Sequence, residues 1–155
     1  MSSLSEDPLL LNEGEATDHR FTPGIQWMDL PNAEAPHRQR SLRLVQMRRI
    51  AEQFRVFGKG NVPFEARLLS QPIFRSPAEA PVENAVFAFV QGTDPEAVLL
   101  IESKEASGWR YAIGRMTTIP ITAEFNEEKV WDVPWFSSSY KNEQPFHKIQ
   151  LRGAK

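Results

Sequence analysis

The feature that most constrains what this chain can fold into is the alternation of apolar and polar residues that begins after Gly60. Phe64, Ala66 and Leu68 alternate with Glu65, Arg67 and Leu69, a period of two that suits a half-buried strand. Further strands are predicted over Ile73–Arg75, Asn84–Gln91, Ala97–Ser103, Trp109–Met116, Ile119–Phe125, Lys129–Val133 and Phe146–Arg152, with Gly, Pro, Asn, Asp and Ser between them. Eight short strands at nearly even spacing predict a mainly β fold, either an antiparallel β-sandwich or an open barrel. Residues 97–107 admit a second reading as a helix, because Asp94-Pro95-Glu96 can start one and Gly108 can stop it. A strand is preferred because this apolar run follows Val86–Val90 after the tight turn Gly92-Thr93-Asp94-Pro95.

One helix is expected. From Ser41 to Phe57 there is neither Gly nor Pro, and Leu44, Met47, Ile50, Ala51, Phe54 and Phe57 recur at spacings of three and four, which makes one face apolar. Ser41 is placed to cap its first turn and Gly58 to end it. Residues 1–40, with Pro8, Pro23, Pro31 and Pro36, read as an acidic arm, extended or partly disordered. If the arm docks, Phe21, Trp27 and Leu30 are the apolar groups it hides. Residues 41–155 then form a single globular domain. Leu, Ile, Val and Phe make up 39 of the 155 residues, above the composition of a disordered polymer.

Several function classes fall away. With no cysteine there is no disulfide framework, thiolate metal site or cysteine nucleophile. His19, His37 and His147 stand alone, without HExxH or any other paired ligand spacing, so no metal and no cofactor are expected. GxSxG, GxGxxG and GxxxxGK[ST] are absent. The longest apolar run, Ala97–Ile101, is far short of the ~20 residues of a membrane-spanning helix. Residues 1–7 carry acids where a secretory signal carries Lys or Arg. The expected location is cytoplasmic, with export open if a further segment precedes the chain.

Three groups of residues could carry function. The first is aromatic: Trp131, Trp135, Phe136 and Tyr140 fall within ten residues, around Val133-Pro134 and Ser137-Ser138-Ser139. Trp131 and Val133 share a strand face and read as core, whereas Trp135, Phe136 and Tyr140 follow a proline and form the candidate ligand-binding surface. The second is basic. Residues 1–36 hold seven acids against Arg20, whereas 37–59 hold seven cations against Glu52. Arg43, Arg48, Arg49 and Arg55 are therefore candidate anion-binding residues, although a helix packed on a sheet would simply solvate them or pair them with the acidic arm. The third is a carboxylate pair for carbohydrate hydrolysis. Asp94 with Glu96, Glu102 with Glu105, or Asp94 with Glu102 would need to lie ~5–10 Å apart.

The segments Glu65-Ala66-Arg67-Leu68-Leu69, Gln71-Pro72-Ile73-Phe74-Arg75, Val86-Phe87-Ala88-Phe89-Val90-Gln91-Gly92-Thr93-Asp94-Pro95-Glu96, Leu99-Leu100-Ile101-Glu102, Trp109-Arg110-Tyr111-Ala112 and Arg115-Met116-Thr117 resemble a bacterial family of uncharacterised proteins. The resemblance covers about residues 41–135 and implies no activity and no catalytic residue. Members of that family are longer, with another segment before the helix and often an export signal; this chain has its acidic arm there. The expectation from the residues is a non-catalytic binding or protein-interaction module, with protein or carbohydrate as partner. Nucleic acid is disfavoured, and an exposed edge strand leaves a homo-oligomer open.

Overall fold

The structure, a computed structural model, describes residues 9–11, 19–21, 24–104 and 108–136. The fold is mainly antiparallel β with one helix. Strands β1 (Leu9–Leu11) and β2 (His19–Phe21) form a separate two-stranded sheet. Next come β3 (Met28–Asp29), helix α1 (Arg40–Ala51), β4 (Phe54–Gly58), β5 (Phe64–Leu68) and β6 (Phe74–Arg75). They are followed by β7 (Asn84–Gln91), β8 (Asp94–Lys104), β9 (Gly108–Arg115), β10 (Ile121–Phe125) and β11 (Glu128–Val133). Nine of the strands share one sheet in the order β11-β10-β4-β5-β7-β8-β9-β3, with β6 also on β7. Of the two architectures left open by the sequence, the open barrel is the one adopted: the sheet curls into a half-barrel.

Local chemistry sets the hairpins. At Gly92-Thr93 the β7–β8 turn places Gly92 at φ +60°, the conformation that a type II′ hairpin asks of its first central residue. Residues 94–104 are strand, not helix, because Asp94–Glu102 pairs with β7 and Ala97–Lys104 pairs with β9. Asn126 and Glu127 both have positive φ, as a type I′ turn between β10 and β11 requires. β5 and β6 lie end to end along one edge of β7, facing Phe89–Val90 and Ala85–Val86 respectively. Ser70-Gln71-Pro72 separates them, and the Pro cannot donate to a ladder.

The expected helix over Ser41–Phe57 is shorter than its apolar pattern. It begins at Arg40, Gln39 is its N-cap without a side-chain capping bond, and it ends at Ala51. Phe54, Val56 and Gly58 instead point to the core from β4 while Arg55 faces water. Phe54 and Phe57 fit a helical period, whereas Phe54 and Val56 fit a strand period; pairing with β10 on one side and β5 on the other decides for the strand. Gly58 is consequently not a helix stop. It faces Phe64 across the β4–β5 ladder, and a Cβ there would stand 2.2 Å from the Phe64 ring. Phe64 covers the strand glycine, a pairing that pins register.

One face of the sheet and α1 share one core. β7 contributes Ala85, Phe87 and Phe89; β8 contributes Ala97, Leu99 and Ile101; β9 contributes Trp109, Tyr111 and Ile113. Met47, Ile50 and Ala51 of α1 join them, with Leu30 from the segment after β3. That segment is tied in by backbone pairing of β3 to β9 and by Trp109, whose indole N–H donates to the Glu34 carbonyl at 2.8 Å. Phe54, Tyr111 and Phe125, from β4, β9 and β10, meet with ring centroids 4.8–6.5 Å apart. Burial raises the Tyr111 pKa above its ordinary value. The predicted strand over Phe146–Arg152 lies outside the described residues.

Replacing Gly58 by Ala forces the Phe64 ring off the strand, so G58A is expected to lower stability by about 1–3 kcal/mol in urea unfolding. The double variant G58A/F64A is expected to recover no stability, because it removes the clash and the apolar cover together.

Candidate functional site

Trp135 and Phe136 follow β11 on a segment that is held in place. The Phe136 N–H donates to the Thr118 carbonyl at 2.8 Å. Arg115, the last residue of β9, donates from Nε to the Thr117 carbonyl and from Nη2 to the carbonyls of Ile119 and Pro134, at 2.9–3.1 Å. Its guanidinium also lies 6.0 Å from the centre of the Phe136 ring. Burial lowers the Arg115 pKa from its ordinary value, which still leaves an arginine cationic. Trp135 is left 55% exposed on this clamped backbone. Trp131 and Val133 pack against the core, as their strand face predicts. Tyr140 lies outside the described residues.

The four candidate anion-binding arginines do not share a surface. Arg43 donates from Nε to Glu83, and Arg48 donates to Gln71 Oε1 while its Nε is buried without a partner. Arg49 is exposed near the other end of α1. Arg55 stands on β4, 4.9 Å from the Phe57 ring centre, and its Nε and Nη2 hold Glu65 at 2.9 and 2.8 Å. That fork keeps the Glu65 carboxyl below its ordinary pKa, so its small stabilisation is present at neutral pH and fades as the pH falls through the carboxylate range. Two of the four, Arg43 and Arg55, are thus ion-paired within the molecule, to Glu83 and Glu65.

Glu83 is the centre of the charge network, and sequence reasoning did not single it out. Its buried carboxylate receives Arg43 from α1, Arg75 from β6 and, at 3.3 Å, Arg40 from α1. The Arg75 guanidinium also donates to the Arg40 carbonyl, and Arg40 to the Ser76 carbonyl. The helix N-terminus is thereby fastened to β6 and to the entry of β7. The sequence signal was there, since a Glu in a proline-rich loop before a buried strand needs a partner, but which cations would serve was not.

The proposed carboxylate pair separates. Asp94 and Glu102 lie on one strand, eight residues and therefore about 26 Å apart at ~3.3 Å per residue. Asp94 is exposed, Glu96 is buried with Oε2 unpartnered, and Glu102 is paired with Arg110. Glu105 lies outside the described residues. No pair with the spacing of a glycosidase forms from Asp94 and Glu102.

A cleft absent from the sequence reading opens at the unclosed seam of the half-barrel. It measures about 450 Å³ and lies between residues 30–34, α1 and the β10–β11 turn. Its apolar floor includes Leu30, Ile50 and Phe125, and Arg49, Glu34 and Glu128 stand around it, without ion-pair partners among the described residues. All three non-glycine residues with positive φ, Asn32, Asn126 and Glu127, fall at this cleft or in the turn that walls it. Such conformations cost free energy and persist only where surrounding structure imposes them.

No family model, no curated protein and no solved structure matches the chain.

Removing the Glu83 carboxylate strands three guanidinium groups at one place. E83A is expected to destabilise the fold by about 3 kcal/mol, read by chemical unfolding. Breaking the exposed Arg55–Glu65 pair with E65A is expected to change stability by ~0–1 kcal/mol.

Proposed function

We propose that this protein is a non-catalytic protein-interaction module and that Trp135 anchors its contact surface. The observation that carries the reading is the combination of a largely exposed indole with a backbone clamped by Arg115 and Thr118. A large aromatic already held in place loses little conformational freedom on binding, which is why such residues dominate interfaces. The half-buried Phe136 beside it extends the apolar patch. The resemblance to uncharacterised bacterial proteins is retained as a proposal of kinship and adds no activity.

The test is selection of binding peptides from a random displayed library on the full chain, followed by titration with soluble polysaccharides. A selected peptide whose affinity falls at least tenfold in W135A, with the unfolding midpoint unchanged, is the expected result. Peptides that bind W135A as well as the wild type would remove Trp135 from the reading. Protection of Trp135 from iodide quenching by a polysaccharide alone would replace the protein partner with a carbohydrate.

The seam cleft favours a second reading, as a site for a small zwitterion. Cationic Arg49 and the carboxylates of Glu34 and Glu128 stand over an apolar floor, and pockets of roughly 300–1,000 Å³ with a few polar groups over apolar walls suit small ligands. Free amino acids are expected to raise the unfolding midpoint in a saturable way, and R49Q to weaken that effect at least fivefold. Equal response of R49Q would sink this reading.

A further inference from the structure

The chain carries a net charge of −2, yet a concave surface at the start of α1 has the opposite sign. A pocket of about 280 Å³ lies between the N-terminus of α1, the loop before β7 and the end of β8. Arg38, Arg40, Arg43 and Lys104 line it, and Glu83 is the single carboxylate in that lining. Charges of one sign gathered in a concavity with low-dielectric walls concentrate the potential there.

The hydrogen-bond donors are not exhausted. Arg43 uses Nε on Glu83 and Nη1 on the carbonyls of His37 and Arg38, both at 2.8 Å. Its Nη2 has no acceptor among the described residues. Arg40 uses Nε on Glu83 and Nη2 on the Ser76 carbonyl, which leaves Nη1. The Arg38 guanidinium has no partner among the described residues. His37 accepts the Gln39 N–H at Nδ1, at 2.9 Å, so the neutral imidazole carries its proton on Nε2, free to donate. Lys104 meets Asp29 at 3.2 Å with both groups largely exposed, a pair of little strength that another anion can displace. The first turn of α1 contains no acid of its own, so the positive end of the helix dipole adds to the field of these groups.

We propose that this pocket binds a phosphate group, as inorganic phosphate or as the phosphomonoester of a small molecule. Guanidinium groups present paired N–H donors that match phosphate oxygens. Glu83 serves as the holder: it fixes Arg40 and Arg43 before the anion arrives, so less side-chain freedom is lost on binding. Pro36, Pro77 and Pro81 stiffen the walls with fixed φ. The proposal is independent of Trp135 and of the seam cleft.

The experiment is calorimetric titration of the full chain at constant ionic strength, with inorganic phosphate in one arm and glycerol 3-phosphate in the other. Saturable one-to-one binding in either arm is expected, and the arm that saturates identifies the source of the phosphate. R38Q and K104Q, which touch neither Glu83 nor the core, are expected to weaken it at least fivefold with an unchanged unfolding midpoint. R49Q, a cation on the same helix outside the pocket, is expected to bind as the wild type does. Absence of saturable heat in both arms overturns the proposal, and so does an equal loss in R49Q, which would reduce the effect to general charge attraction.

Discussion

The short connection between β9 and β10 is the constraint on which the rest of the structure depends. In the order of the sheet these strands are five positions apart, about 24 Å in a flat sheet at ~4.8 Å per strand. The chain from Arg115 to Ile121 spans six residue steps, about 21 Å at most when fully extended. A flat sheet cannot be joined this way, so the sheet must curl until β9 approaches β10 across its inner face. The contact of Tyr111 with Phe54 and Phe125 is the consequence. Arg115 sits at the corner and holds the carbonyls of Thr117, Ile119 and Pro134 together.

Curling creates both the shelter and the gap. The inner face accepts Met47, Ile50 and Ala51 of α1 and buries Phe87 and Leu99 completely, while the two edges, β3 and β11, do not pair with each other. The seam cleft occupies that gap, and the strained turn at Asn126-Glu127 walls it. The corner that forces the curl also clamps the segment after β11, so Trp135 is presented to solvent by the same arginine that closes the connection.

Glu83 works at the other end of the molecule. α1 has no side-chain cap and no acid in its first turn, and its attachment comes instead from a carboxylate outside the helix that gathers Arg40, Arg43 and Arg75. A buried ion pair is a costly way to gain stability but a specific one, since each partner left alone would be an uncompensated charge. An excess of cations around one acid fastens the helix and leaves donors over.

Much was legible in the sequence because period-two patterning and turn residues are local properties. Asn84–Gln91 has in the structure the predicted bounds, the alternation that begins at Phe64 is strand as far as Leu68, and Gly92 turns where a positive φ is needed. Trp109, Tyr111 and Trp131 pack as their strand faces imply. Residues 54–58 were not legible, because Phe54 and Phe57 satisfy a helical spacing while Phe54 and Val56 satisfy a strand spacing, and only pairing with β10 and β5 separates the two. Nor were the charge partners: Glu83 meets Arg40 and Arg43 across some forty residues of chain, and the Asp94–Glu102 pair fails because one strand carries both. The sequence by itself determined that the segments from β5 to β11 are strands, since their patterning and turns follow from neighbours along the chain. Only the tertiary structure decided the curl, the seam and the convergence of arginines, since these arise from distances between segments that no local pattern encodes.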